Sequence, residues 1–213
     1  NYNLIGNPYP SAIDAEEFLA ANTYHATTNP TGVIYGNVKL WTHGYQPAAI
    51  VNPFYGSFAY NYNANDYVTL NYLGASDPIG ASNIIKSGQA FFVQMVDGTT
   101  GTGNVNFSNS MRLDASNNPY NNSGFFRNSN TPLERHRIWL DLIDSNNIVS
   151  GTLVGYATDA TNDFDTFFDA QSGVPGFMKM YSLINNDVYD IQGRSLPFDQ
   201  NDQVPLGATF VEA

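Results

Sequence analysis

Three observations predict an all-β fold, a β-sandwich or jelly-roll-like domain with one short N-terminal helix. The first is turn chemistry. The 213 residues include 27 Asn, 18 Gly and 11 Pro, residues that favour turns for distinct backbone reasons, so many turns and many short strands are expected. The second is two-residue alternation of apolar side chains in several segments, the period of a strand with one buried face. The third is that a helix signal occurs convincingly only once, whereas parallel α/β folds need a crossover helix for each parallel pair.

In chain order, Tyr2-Asn3-Leu4-Ile5 reads as a strand closed by the turn Gly6-Asn7-Pro8-Tyr9-Pro10. The helix follows. Asp14 suits an N-cap, Glu17 three residues on completes a capping box, and Ile13 and Phe18 occupy the staple positions. Lys39 to Thr42 reads as a strand carrying Trp41. Phe58-Ala59-Tyr60-Asn61-Tyr62 and Tyr67 to Tyr72 alternate as two strands, with a hairpin turn expected at Asn63 to Asp66. Gln89 to Val96 is apolar on both faces and reads as a central strand, with Asn104 to Phe107 pairing back on it. In the second half, Arg137 to Ile143, Thr152 to Ala157, Met178 to Ile184, Val188 to Gln192 and Gly207 to Val211 complete the set. Strands at this spacing argue for a sandwich or jelly roll. Residues 1–213 are read as a single β-rich domain with a possible seam near 115–131, where Asn and Ser dominate.

Composition narrows the function classes. The net charge is −11 with only eight Lys and Arg, and no basic run exists. Phosphate backbones require clustered cations, so nucleic acid is a poor partner. No segment approaches the roughly 18 apolar residues of a spanning helix, so no membrane insertion by helix is expected. Cysteine is absent, which removes disulfides, thiolate nucleophiles and cysteine metal sites. The chain opens on Asn1 and ends within a strand-like segment, and reads as a piece of a longer polypeptide.

A series of strings carries a resemblance. Asn3-Leu4-Ile5-Gly6-Asn7-Pro8-Tyr9-Pro10-Ser11-Ala12-Ile13-Asp14 is followed by Ser87-Gly88-Gln89-Ala90-Phe91-Phe92-Val93, Asn109-Ser110-Met111-Arg112 and Phe125-Phe126-Arg127. Arg137-Ile138-Trp139-Leu140-Asp141-Leu142, Leu153-Val154-Gly155-Tyr156, Gln192-Gly193-Arg194-Ser195-Leu196-Pro197-Phe198 and Val204-Pro205-Leu206-Gly207 complete it. In this order they resemble the β-rich region that precedes the C-terminal sorting signal in large, adhesin-like surface proteins of Bacteroidota, the cargo of the type IX secretion system. Ala90 stands where that pattern has Gly, and the sorting signal itself lies outside this sequence. The resemblance implies an extracellular or outer cell-surface location and no enzymatic activity, and it carries over no catalytic residues.

Candidate sites are few. Trp41, Tyr60 and Tyr62 are the residues that a glycan platform would use, since exposed aromatic faces stack on sugar rings; aromatics also fill cores and rims. Asp159, Asn162, Asp163 and Asp165, with Asp169 nearby, bring enough oxygens into one turn-rich segment to suit calcium, although no EF-hand pattern is present. The alternative is that these side chains bond backbone amides in turns. Arg112, Arg127, Arg137 and Arg194 are expected to pair with carboxylates or loop carbonyls. His25, His43 and His136 lack metal-ligand spacing, no Gly-x-Ser-x-Gly elbow occurs, and Glu is scarce. No catalytic residue is therefore assigned. The expectation is a non-catalytic stalk, adhesin or filament module whose partners are other protein chains or glycans, with homo-oligomers formed by strand pairing. A carbohydrate-binding module is the alternative, and a glycan-active hydrolase a more remote one.

Overall fold

The computed structural model describes residues 2–42, 44, 46–47, 60, 62, 64–77, 82–98, 103–119, 135–173 and 178–210. It is strand-rich, with one α-helix among those residues. The first sheet has five strands in the order β1 (Tyr2–Gly6), β7 (Ala90–Met95), β3 (Ile34–Trp41), β4 (Tyr67–Asn71), β5 (Gly74–Ala75). The second runs β13 (Leu206–Phe210), β11 (Met178–Ile184), β12 (Asp187–Ser195), β9 (Val149–Ala157), β8 (Arg135–Ile143), with β10 (Ala170–Gln171) also on β12. A two-residue pair, β2 (Ile13–Asp14) with β6 (Ile84–Ile85), leads into the helix α1 (Ala15–Asn22). All of these pairings are antiparallel except β9 with β12.

Helix α1 forms where the capping signal lies. The Asp14 carboxylate accepts from the Glu16 amide at 2.8 Å and the Glu17 amide at 3.5 Å, which satisfies donors that have no partner inside the helix. Ile13 and Phe18 are both fully buried, and the helix lies on the first sheet through Phe18 and Leu19. On that face Val38 stands opposite both Leu70 and Val93, and Leu40 opposite Val68. Phe18 meets Phe91 edge-to-face at 5.3 Å.

The opposite face of the same sheet is equally buried but polar. Asn37 pairs with Asn71 and Lys39 with Thr69, and none of the four exceeds 2% exposure. This face meets the second sheet and its loops. Asn71 donates to the Phe168 carbonyl at 2.9 Å, Asn65 to the Val149 and Met178 carbonyls, and the Trp139 indole to the Ala75 carbonyl at 3.0 Å. A second apolar cluster of Leu73, Leu153, Ala157, Ala160, Ala170 and Ile191 lies beside these contacts, with Trp139 and Phe168 packed on it. Gly155 and Gly193 face each other in register there. A Cβ on Gly193 would meet Phe168 Cβ at 2.5 Å, and one on Gly155 would meet a Leu73 methyl at 2.9 Å. The missing side chains let Leu73, in the turn between β4 and β5, close on β9, and Phe168, in the loop before β10, close on β12.

The structure corrects three local expectations. Among the described residues strand β4 pairs with β3 and β5, with Trp41 opposite Tyr67, and residues 64–66 form a 3₁₀ turn. Most of 58–62 lies outside the described residues, while Tyr60 and Tyr62 are not in strands. Residues 103–107 form no strand; Phe107 instead packs on Phe18 at 5.1 Å. Strand β3 begins five residues before the expected start, because Gly36 and Asn37 break its alternation without ending it. Much of the expected seam near 115–131 lies outside the described residues.

Candidate functional site

The predicted residues fall in two places. Trp41 and Tyr62 are brought together, ring centroids 5.7 Å apart at 80°, and Trp41 also meets Tyr67 at 4.7 Å and 73°. Tyr67 continues the row to Phe92 at 5.8 Å. Tyr60 is 70% exposed and Tyr62 44%. These rings interlock edge to face, the preferred geometry of aromatic packing, so Trp41 and Tyr62 do not form one flat surface.

In the acidic loop three side chains accept from backbone amides of the loop itself and of β12. Asp165 accepts from the Thr161 amide at 2.6 Å, and Asp169 accepts from the Asp165 and Gly193 amides at 2.5 and 2.7 Å. Asn162 accepts from the Ser195 amide and hydroxyl, both at 3.1 Å. Asp159 sits at φ +70°, a left-handed turn position that Asp tolerates better than most residues. Asp163 is exposed, and its own amide donates to the Thr161 hydroxyl at 3.2 Å. Among the described residues no three His, Cys, Asp or Glu side chains converge on one point. Burial pushes the Asp169 carboxyl up to about 7, against the two backbone hydrogen bonds that favour its charged form.

Arg194 and Arg137 meet groups of the expected kinds, whereas Arg112 meets a hydroxyl and an aromatic ring. Arg194 pairs with Asp202, which also accepts from the Tyr156 hydroxyl at 2.8 Å. Arg137 donates to the Leu73 carbonyl, and Arg112 to the Ser11 hydroxyl while lying over the Tyr9 ring. Arg127 and His43 lie outside the described residues. His25 accepts from the Thr27 and Thr28 amides, and His136 packs on Phe198 at 5.0 Å.

The most concentrated chemistry lies elsewhere, between the sheets. Lys39 on β3 reaches Asp190 on β12 at 3.0 Å, with side-chain exposures of 2% and 4%. Lys179 on β11 reaches the other carboxylate oxygen at 2.7 Å. The Thr69 hydroxyl on β4 accepts from Lys39 at 2.7 Å and donates to Asp190 at 2.7 Å. Lys39 also donates to the Gln171 carbonyl at 3.3 Å. Lys39, Thr69, Lys179 and Asp190 line a narrow cleft together with Asn65, Ser76 and Asp77. Burial lowers Lys39 from the ordinary lysine range, partly countered by Asp190. Burial also disfavours ionised Asp190, but the two ammonium groups outweigh it and hold the carboxyl below its ordinary range. The sequence reading missed this site. The available signal was a lone charge inside each of two apolar runs, Val38-Lys39-Leu40-Trp41 and Val188-Tyr189-Asp190-Ile191, in a chain with only eight Lys and Arg.

Fold and site together define the class: a strand-rich domain of two main sheets and one helix, joined across a charged seam. Over residues 1–213 the chain matches the family model described as a domain of unknown function, DUF8693, and belongs to that family. No curated protein and no solved structure matches it.

Proposed function

We propose that this is a non-catalytic interaction module of a secreted or cell-surface protein, a β-sandwich in which the two sheets stack across the charged seam, and that it assembles by strand pairing with a second copy of itself. The observation that carries this reading is the outer edge of the second sheet. Among the described residues strand β13 pairs with β11 on one side only, and it leaves Leu206 44% and Phe210 69% exposed. At the opposite edge β8 leaves Ile138 51% and Ile143 58% exposed. An edge strand with unused backbone groups and apolar side chains is a template for another strand. The resemblance to type IX cargo supports the surface location. Light scattering from low to high micromolar concentration tests the reading. Mass should rise with concentration, and Phe210→Asp should abolish the rise. A wild-type chain that stays monomeric throughout refutes assembly by this edge.

A second reading, glycan binding, rests on the exposure of Tyr60 and Tyr62 and on the contact of Tyr62 with Trp41. A polysaccharide pull-down lost on Tyr62→Ala would support it, and no binding to neutral or acidic glycans would remove it.

A further inference from the structure

The charged seam is more than an ion pair in its geometry. We propose that Lys39 and Asp190 are the precursors of an intramolecular amide, an isopeptide bond that ties β3 of the first sheet to β12 of the second. The amine nitrogen is 3.0 Å from Asp190 Oδ2, and both side chains are almost completely buried. It has only to move from Oδ2 onto the adjacent Cγ to form the bond. Pairs of reactants fixed in this way show effective concentrations of about 10⁵–10⁸ M.

The surrounding groups supply what the step requires. Thr69 bridges the reactants, accepting from Lys39 and donating to Asp190 Oδ2, each at 2.7 Å. Its hydroxyl can therefore relay a proton from the ammonium to Oδ2, leaving a neutral amine and a carboxylic acid. The amine lone pair attacks Cγ, and the carbonyl electron pair moves onto Oδ1. Lys179 lies 2.7 Å from Oδ1, where its charge stabilises the developing oxyanion. A second proton passes from nitrogen through Thr69 to Oδ2. The tetrahedral centre then collapses, the Cγ–Oδ2 bond breaks and water leaves. One ammonium and one carboxylate become one secondary amide and one water, with no oxidant, metal or cofactor. Burial favours the reactive neutral amine by lowering Lys39. Lys179 acts in both directions, because it also holds resting Asp190 ionised, so the bond should form slowly after folding. The product is a covalent clasp in a chain that has no cysteine with which to make a disulfide.

Intact-mass spectrometry of the denatured chain, sampled from fresh folding through several days at 37 °C, tests the proposal. The wild type should lose one water, about 18 Da, and digestion should yield one branched peptide joining the Lys39 and Asp190 segments. Asp190→Asn should instead lose ammonia, about 17 Da, because the amide leaves in place of the hydroxyl. Lys39→Arg should keep its full mass. Thr69→Val should react more slowly than wild type. Full sequence mass in folded wild type after this incubation overturns the proposal and leaves an ordinary buried ion pair. Loss of water in Lys39→Arg overturns it too, since the dehydration would then lie elsewhere.

Discussion

Val38 and Lys39 are neighbours on one strand and equally buried, at 0% and 2%, yet they belong to two kinds of interior. Val38 faces the apolar core beneath α1, with Phe18, Leu70 and Val93. Lys39 faces the seam, with Thr69, Asp190 and the Gln171 carbonyl. The apolar side is held by a non-directional force roughly proportional to the area removed from water. The seam is held by directional contacts in which every buried polar group needs its own partner. The first interior therefore tolerates volume-conserving exchange and the second does not. The seam also fixes where the second sheet sits, because Lys39, Asn65 and Asn71 each meet particular groups across it.

Removing one large side chain from each interior should have the greatest effect. Phe18→Ala empties the centre of the apolar core and should lower stability by about 3–5 kcal/mol. Asp190→Ala should lower it comparably, about 3–5 kcal/mol, because it leaves the buried Lys39 ammonium and the partly buried Lys179 ammonium without their carboxylate. Conservative replacements separate the two. Phe18→Leu should recover much of the loss, whereas freshly folded Asp190→Asn, before any bond to Lys39 forms, should not, since the charge is what both lysines require. Urea unfolding measures all four variants. Equal recovery by Leu and Asn would erase the distinction between the two interiors.

A smaller effect tests how closely Leu73 and Phe168 close on the second sheet. Gly193→Ala should destabilise by about 1–3 kcal/mol, as overpacking of a core does, because Phe168 Cβ adjoins the backbone and cannot swing aside. Gly155→Ala should be milder, because the Leu73 methyls that it meets sit at the end of a flexible side chain. The reverse order in thermal melts would show that the loop before β10 adjusts more freely on β12 than the packing implies.

Local signals in the sequence account for the apolar interior. Asp14 capping, the Ile13 and Phe18 staple and the two-sided apolar pattern of 89–96 each act within a few residues, and α1 and β7 form where those signals lie. The seam was hidden because its chemistry spans 151 positions between Lys39 and Asp190, and no periodicity in either strand announces a partner in the other. Strand pairing went astray for a related reason. The Trp41–Tyr67 register joins residues 26 positions apart, and no local pattern in either segment announces it. In the acidic loop Asp165, Asp169 and Asn162 turn oxygens to backbone amides, and no spacing in the sequence announces where those side chains turn.

The finest test of the comparison sets two buried carboxyls against each other. Asp190 has two ammonium neighbours and sits below its ordinary range, while Asp169 has only amide donors in contact and is pushed up to about 7 by burial. Their linkage to stability has opposite sign. Before it bonds to Lys39, Asp190 is ionised more readily folded than unfolded, so its contribution is present above the ordinary carboxylate pKa of about 4 and is lost as pH falls below that value. Asp169 holds a proton in the folded chain that the unfolded chain has already released above about pH 4. Its presence therefore makes stability fall as pH rises from about 4 to 7, by at most about 1.4 kcal/mol per pH unit. Above that window the carboxylate is ionised in both states and the loss is complete. Asp169→Asn removes the proton exchange while its side-chain oxygen can still accept from one backbone amide. Urea midpoints recorded from pH 4.5 to 7.5 should decline in the wild type and lose that part of their slope in Asp169→Asn. An unchanged slope would mean that Asp169 is ionised throughout the window, and that amide donors alone can hold a buried carboxylate here as firmly as the lysines hold Asp190.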